Sequence, residues 1–136
     1  MWDRLFKPMD VMQRGLSASW TRNAVIRNNI ANVETPGFKA SRVEFESLLR
    51  KAAEGGNFQA ARTHPMHLEF SGTSDIMSVQ PMIRQSRDLS MRKDGNNVDI
   101  ESENVRMAQN SIHYNTLLEK LNSEIRRLRM AISEGR

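Results

Sequence analysis

Apolar residues spaced alternately three and four positions apart dominate both ends of this 136-residue chain. A repeat with a mean period of 3.5 residues predicts a helix with one narrow apolar stripe that packs along another helix. The N-terminal stripe comprises Met9, Met12, Leu16, Ser19, Asn23, Ile26, Ile30 and Val33. We predict a helix from about Pro8 to Val33, with the proline in the first turn, where its missing N–H is tolerated.

The C-terminal stripe is longer, and neither proline nor glycine interrupts it before Gly135. We predict a helix from about Asp99 to Ser133, with Asp99 as N-cap because its carboxylate can accept bonds from the first free N–H groups. Its stripe comprises Ile100, Asn104, Met107, Ser111, Tyr114, Leu118, Leu121, Ile125, Leu128 and Ile132. The polar stripe positions Asn23, Asn104 and Ser111 are candidates for fixing the register of the two helices.

The pattern changes in the middle of the chain. One apolar cluster fits either a short helix or a strand; it comprises Val43, Phe45, Leu48 and Leu49. Alternation of Met66, Leu68 and Phe70 predicts a brief strand. The string Asp94-Gly95-Asn96-Asn97 predicts a turn just before the last helix.

The predicted fold is therefore mainly α, with two long terminal helices packed as a coiled-coil-like pair and an irregular or short-β middle segment. We expect a single domain with an N-terminal helix and turn at 1–38, a middle segment at 39–98 and a C-terminal helix at 99–136. Helices this long would project past whatever a small domain can cover. Part of each stripe should then be covered by other subunits, and the free chain should be partly disordered at its ends.

Several classes of function are excluded or disfavoured by residue type. There is no cysteine, so disulfides and thiolate metal sites are excluded. His64, His67 and Glu69 could suggest a metal site, but Pro65 rules out a regular helix there, and we predict none. No nucleophile, acid and base grouping or phosphate-binding loop is visible, so we predict neither an enzyme nor a cofactor.

Charge leaves one alternative open. The formal net charge is +4, from 20 basic and 16 acidic residues. The cluster of Arg126, Arg127 and Arg129 could touch phosphates, although we favour its role as a complement to the helix dipole. The alternative function is a basic coiled-coil module that binds nucleic acid or another polyanion.

The first residues and the hydropathy of the chain bear on its location. The start, Met1 to Pro8, lacks the pattern of a secretory signal peptide. No apolar run approaches the roughly 20 residues of a membrane-spanning helix. We expect no cleaved signal peptide and no membrane span.

The most specific string is Asn29-Ile30-Ala31-Asn32, followed after two residues by Thr35-Pro36-Gly37-Phe38. Pro36 and Gly37 fit the two central positions of a type II turn, so the local interpretation is a helix end followed by a turn. The other interpretation is that the asparagine amides and the turn backbone form hydrogen bonds between subunits.

These eight positions resemble the N-terminal signature of the bacterial flagellar rod and hook protein family. A second string, Asp94-Gly95-Asn96-Asn97-Val98-Asp99, followed by a long helix that contains Tyr114, resembles the proximal rod members of that family. The resemblance covers roughly the first and last thirds of the chain. The short length agrees, since distal rod and hook members carry large inserted domains.

The resemblance implies a structural subunit of the proximal rod. Such proteins are exported through the flagellar type III apparatus without signal cleavage and polymerise beneath the hook into a hollow periplasmic rod. Their terminal helices form an inner tube, and the implied partners are copies of the chain, other rod proteins and the basal-body adaptor protein FliE.

The residues expected to mediate assembly fall into two sets. The motif set comprises Asn29, Ile30, Ala31, Asn32, Thr35, Pro36, Gly37, Phe38, Asp94, Gly95, Asn96, Val98 and Asp99. The helix-stripe set comprises Met12, Leu16, Ile26, Tyr114, Leu118, Leu121, Ile125 and Leu128. On this hypothesis a charge placed in the stripe, as in Leu121→Asp, should abolish motility.

Overall fold

A computed structural model describes residues 2–55, 76–86, 90 and 92–133 of the chain. Its elements in chain order are helix α1 (Trp2–Ala31), strand β1 (Ser41–Glu44), helix α2 (Glu46–Gly55), a short 3-10 helix (Ile76–Ser78), strand β2 (Met82–Gln85) and helix α3 (Ile100–Ser133). The two long helices pack against each other in antiparallel directions, since Asn29 meets Glu103 and Ser19 meets Asn110. The predicted mainly α fold with a short-β middle segment is confirmed.

Helix α1 begins earlier than its sequence pattern predicts. It starts at Trp2, so Pro8 lies inside the helix rather than in its first turn. The prediction of a start at Pro8 was wrong because a proline removes one backbone hydrogen bond yet keeps a helical φ, so the preceding turn can still be helical.

Helix α3 begins as predicted. The Asp99 carboxylate accepts hydrogen bonds from the backbone N–H groups of Glu101, at 3.0 Å, and Ser102, at 3.4 Å. These are donors that the first turn of a helix cannot satisfy internally. Glu101 and Glu103 lie in the first turn, where negative charge is favoured by the helix dipole.

The cluster between residues 43 and 49 forms both of the elements that its pattern allows. Val43 lies in β1, Leu48 and Leu49 lie in α2, and Phe45 between the two elements is buried. Strand β1 pairs antiparallel with β2, in the register Ser41↔Gln85 to Glu44↔Met82. The sequence pattern did not predict β2, and the predicted strand at 66–70 lies outside the described residues.

The contact face of α3 repeats every three and four residues. Its buried and half-buried positions include Glu103, Met107, Asn110, Tyr114, Leu117, Leu121, Glu124 and Leu128. Every second position of this set also belongs to the predicted stripe. At the other positions, the predicted residue lies one position too far toward the C-terminus. Leu118 and Ile125 are consequently 39% and 45% exposed.

A glycine of α1 lies in the contact between the two long helices. A Cβ atom placed on Gly15 of α1 would lie 3.1 Å from the Leu117 Cδ1 atom of α3. The absence of a side chain at Gly15 therefore allows Leu117 to pack directly on the α1 backbone. None of the described helices combines the length and apolar character that crossing a lipid bilayer requires.

Candidate assembly site

The two sequence motifs lie against each other at one end of the helix pair. The Gly37 N–H donates to the Asp94 carbonyl at 2.8 Å, and the Asn97 N–H donates to the Phe38 carbonyl at 3.3 Å. Gly37 and Gly95 both have positive φ, of 72° and 77°, a conformation that favours glycine. The turn predicted at Pro36-Gly37 is present, whereas the turn predicted at 94–97 lies two residues earlier, where the Gly95 N–H donates to the Arg92 carbonyl at 3.1 Å. Together the two turns form one structural unit, which we call the motif interlock (residues 32–41 and 92–99).

Asn96 is the centre of the motif interlock and is fully buried. Its Nδ2 atom lies 2.9 Å from the Asn32 carbonyl, 3.0 Å from the Val33 carbonyl and 2.9 Å from the Thr35 carbonyl. Its Oδ1 atom accepts the Val98 N–H at 2.7 Å. These three carbonyls belong to the turn that follows α1, so Asn96 holds this turn in place from about 60 residues further along the chain.

Asn29 joins α1 to both β1 and α3. Its amide nitrogen donates to the Ser41 carbonyl at 2.9 Å and to the Glu103 carboxylate at 3.0 Å, and its amide oxygen accepts the Ser41 N–H at 2.9 Å. The amide thus pairs with Ser41 as a neighbouring strand would, and it occupies both backbone groups of Ser41 on that edge of β1.

Two polar layers lie between the long helices. Glu103 is buried, and besides Asn29 it accepts a hydrogen bond from Arg106 at 2.7 Å. One step further along the pair, Asn110 donates to the Ser19 carbonyl at 2.9 Å. No buried side-chain nitrogen or oxygen atom in the described part of the chain lacks a hydrogen-bond partner. Such satisfied layers favour one register of the helices, because a shift would leave these groups unpaired.

These polar layers differ from the register positions that the stripe suggested. Asn104 and Ser111 are exposed and Asn23 is half-buried, whereas the adjacent residues Glu103 and Asn110 are buried. Sequence reasoning missed them because the predicted stripe lay one residue further along α3, at Asn104 and Ser111. The available signal was the spacing of Glu103, Asn110, Leu117 and Glu124, which recur at every seventh position.

The structure gives the motif asparagines partners within the chain. Both donors of the Asn29 amide are used internally, so the interpretation in which this amide bonds to a neighbouring subunit is not compatible with its position. The Asn32 amide donates to the Asn28 carbonyl at 2.8 Å. The motif residues that remain exposed are Ala31, Thr35, Pro36, Gly37 and Asp99.

The remaining motif residues are less accessible. Val98 is buried, and Ile30, Phe38, Asp94 and Gly95 are half-buried. Hydrogen bonding from the Asn96 N–H, together with the Arg92 guanidinium, lowers the pKa of Asp94 below its ordinary value despite a smaller opposing effect of desolvation. The motif interlock is thus held by backbone bonds, amide hydrogen bonds and one ionised carboxylate.

One flank of the helix pair carries an apolar strip, which we define as Leu118, Ile125 and Ile132 of α3 with Trp20 of α1. Ile132 is 76% exposed and Trp20 is 72% exposed. Met9, Ile125 and Ile132 line a cleft of about 520 Å³, and Trp20 lines another of about 330 Å³ with Tyr114. Several large apolar side chains exposed along one flank are typical of a protein–protein contact.

The predicted helix-stripe residues divide between the intramolecular contact and this flank. Ile26 is buried, while Met12, Leu16, Tyr114, Leu121 and Leu128 are half-buried. Leu118 and Ile125 belong to the apolar strip. Among the described residues no group of three histidine or carboxylate side chains could hold a metal ion, and His64, His67 and Glu69 lie outside them.

A paired-helix fold with an apolar strip along one flank defines a structural assembly protein. The family model for "flagella basal body rod protein" matches residues 9–39 of the chain. The chain is 35% identical to the flagellar basal body rod protein FlgB of Bacillus subtilis, over 92% of each chain. It is 31% identical to FlgB of Proteus mirabilis over 99% of this chain and all of that protein, and 34% identical to FlgB of Aeromonas hydrophila over 93% and 92%.

The chain therefore belongs to the FlgB family of flagellar basal-body rod proteins. It is a structural subunit of the bacterial flagellar rod, it resides in the flagellar basal body, and it assembles there with other basal-body components. The resemblance seen in the two sequence motifs is confirmed. The alternative of a polyanion-binding coiled coil receives no support from these comparisons.

Proposed function

We propose that this subunit lies in the proximal rod and polymerises through α1 and α3, with copies of itself and other rod proteins, into the hollow periplasmic drive shaft. The observation that carries this proposal is the apolar strip. A single pair of helices buries only the facing side of each helix, and here the adjoining flank carries four large exposed apolar side chains.

The strip is long enough to hold a neighbouring helix. Leu118, Ile125 and Ile132 recur at seven-residue intervals along one side of α3. This spacing matches the knobs that a third helix would receive in a bundle. Complete burial of one such leucine or isoleucine contributes about 1.5–3 kcal/mol, so the strip can supply the main driving force for lateral contact.

The remaining parts of the proposal rest on family membership and on the first residues of the chain. We propose that the chain is exported by the flagellar type III apparatus without a cleaved signal peptide and that the adaptor protein FliE is one of its neighbours. A structural, non-catalytic role accords with membership of a rod family. Crosslinking within isolated basal bodies, followed by mass spectrometry, would test the contact with FliE.

The central test is a charge placed on the apolar strip. Leu118→Asp should abolish swimming and remove the protein from purified basal bodies, because burying a carboxylate against a neighbouring helix is unfavourable. The matched control is Thr116→Asp, which introduces the same charge at an exposed position on the other side of α3.

Circular dichroism of the purified variants separates folding from assembly. Since Leu118 is 39% exposed in the isolated subunit, Leu118→Asp should retain most of its helical signal. Normal motility of the folded Leu118→Asp variant would refute assembly through this surface. A wild-type protein absent from purified rods would refute the proposed function itself.

A further inference from the structure

A third cleft lies on the other flank of the helix pair, away from the apolar strip. It has a volume of about 510 Å³ and opens between β1 and the two long helices. Its charged lining consists of Arg22, Arg42, Arg106, Glu46, Glu103 and His113. Three arginines therefore face two glutamates in a space large enough for an inserted side chain.

Both glutamates of this cleft already have cationic partners. Arg22 binds Glu46 through two hydrogen bonds of 2.6 and 2.7 Å. Arg106 binds Glu103 at 2.7 Å. Burial tends to raise the pKa of Glu46, but the hydrogen bonds from Arg22 and the nearby positive charges outweigh it and hold that pKa below 4.5. Because three arginines outnumber the two ionised glutamates, the lining is net positive at neutral pH.

Arg42 carries the unmatched charge. Among the described residues, no carboxylate or other hydrogen-bond acceptor is paired with its guanidinium. In the register of β1 and β2 it lies directly opposite Arg84, a like-charge pair that destabilises a two-stranded sheet. Arg84 has its own partner, Glu44, at 3.3 Å. An anion bound at Arg42 would remove an electrostatic cost that the isolated subunit bears.

We propose that this cleft is a docking site for an acidic side chain of a neighbouring rod subunit, which the Arg42 guanidinium binds through its carboxylate. The inference rests on the proposed function, because a subunit inside a rod is surrounded by protein. A planar guanidinium matches a carboxylate with two parallel hydrogen bonds, which gives direction as well as attraction.

A protein carboxylate suits the cleft better than a polyanion does. Nucleic acid recognition uses an extended basic surface that follows many phosphates. Here Glu46 and Glu103 lie beside Arg42 in a single confined cleft and would repel additional negative groups. The cleft accommodates one negative group at a defined position. The proposed contact therefore lies on the flank opposite the apolar strip.

Charge reversal at Arg42 tests the proposal. In a strain that carries Arg42→Glu, we expect the amount of this subunit in purified basal bodies to fall about tenfold or more, since a repelled charge replaces a buried pair. Arg42→Lys keeps the charge but loses the two-pronged geometry and should give an intermediate yield. Arg50→Glu is the matched control, because Arg50 is exposed on α2 and does not line the cleft.

The isolated variants exclude a merely structural explanation. Arg42→Glu removes the repulsion from Arg84, so the melting temperature of the purified subunit should equal or exceed that of the wild type. A variant that folds with wild-type stability and also enters the rod at wild-type yield would overturn the proposal.

Photo-crosslinking then identifies the occupant. A photoreactive amino acid at position 42 in assembled basal bodies should join this chain to a neighbouring rod subunit at a segment that contains aspartate or glutamate. Crosslinks from position 42 only to segments without acidic residues would overturn the docking site. So would the absence of crosslinks from position 42 in an experiment where position 118 does crosslink. The latter result would leave assembly through the apolar strip intact, so the two proposals fail separately.

Discussion

At the scale of single residues, amide side chains do what backbone groups do elsewhere. Asn96 binds the carbonyls of the turn that follows α1, and Asn29 pairs with Ser41 as an additional strand would. Asparagine suits both positions because one short side chain offers two donors and an acceptor. Fully buried amides with this many partners leave little freedom for substitution.

Asn96→Ala should therefore be strongly destabilising. The change leaves the Thr35 carbonyl and the Val98 N–H, among others, without their partners, and each unsatisfied buried group is costly. We expect a loss of about 2–4 kcal/mol in the free energy of unfolding, measured by urea titration.

Asn28→Ala is the control for this prediction, since Asn28 is exposed near the same end of α1. Its unfolding free energy should remain within about 0.5 kcal/mol of the wild type. Equal urea midpoints for Asn96→Ala and Asn28→Ala would show that the Asn96 hydrogen bonds are dispensable.

At the scale of elements, the register of α1 against α3 is determined by close packing and by polar layers. Gly15 allows contact with Leu117. The two polar layers, Ser19 with Asn110 and Asn29 with Glu103, lie further along α1. Apolar stripes alone would tolerate a shift along the helix axis. Groups that must find particular hydrogen-bond partners do not tolerate it.

Substitutions at Gly15 should therefore depend strongly on side-chain size. In Gly15→Ala the gain in helix propensity, about 1 kcal/mol, is offset by the displacement of Leu117, whose Cδ1 atom would lie 3.1 Å from the new Cβ. In Gly15→Leu the helices must separate, and we expect a loss of about 1–3 kcal/mol.

Thermal unfolding followed by circular dichroism measures this difference. Gly15→Ala serves as the control because it changes the backbone propensity but adds only one methyl group at the helix contact. If Gly15→Leu melted at the same temperature as Gly15→Ala, the close approach of the helices would not contribute to stability.

At the scale of the whole molecule, the subunit has two unlike flanks and one interlocked end. The apolar strip lies on one flank and the arginine-lined cleft on the other, while the motif interlock joins residues 32–41 to residues 92–99. On the two proposals made above, flanks of different chemistry would give each neighbouring subunit a distinct contact.

Acid should destabilise the folded subunit. The pKa values of both Glu46 and Asp94 are lower in the folded chain than their ordinary values, 4.5 and 3.8. Below these values the unfolded chain binds protons more readily than the folded chain does, so stability falls as the pH falls through this window. Above pH 4.5 the contribution of both carboxylates is fully present.

Denaturation midpoints between about pH 6 and pH 3 test this dependence. Glu46→Gln should unfold more easily than the wild type at neutral pH and should lose less stability on acidification. Glu54→Gln, at an exposed position of the same helix, should follow the wild-type profile. Parallel profiles for Glu46→Gln and the wild type would rule out the ion pair with Arg22 as a source of acid sensitivity.

The local features of this protein follow from its sequence alone. Periodicity specified two long helices, Asp99 identified the start of α3, and Pro36-Gly37 and Asp94-Gly95 identified the two turns. The two motifs also indicated the rod family. These features depend on groups that are close together in the chain, such as backbone φ preferences, caps and the spacing of apolar side chains.

Tertiary structure alone decided how these elements meet. It brought Asn96 to the end of α1, selected Glu103 and Asn110 rather than Asn104 and Ser111 for the polar layers, and left Leu118 outside the helix contact. A stripe of period 3.5 fits several orientations of the helix, which differ by a small rotation about the helix axis. The choice among them depends on hydrogen-bond partners and close contacts from distant parts of the chain, which local periodicity does not encode.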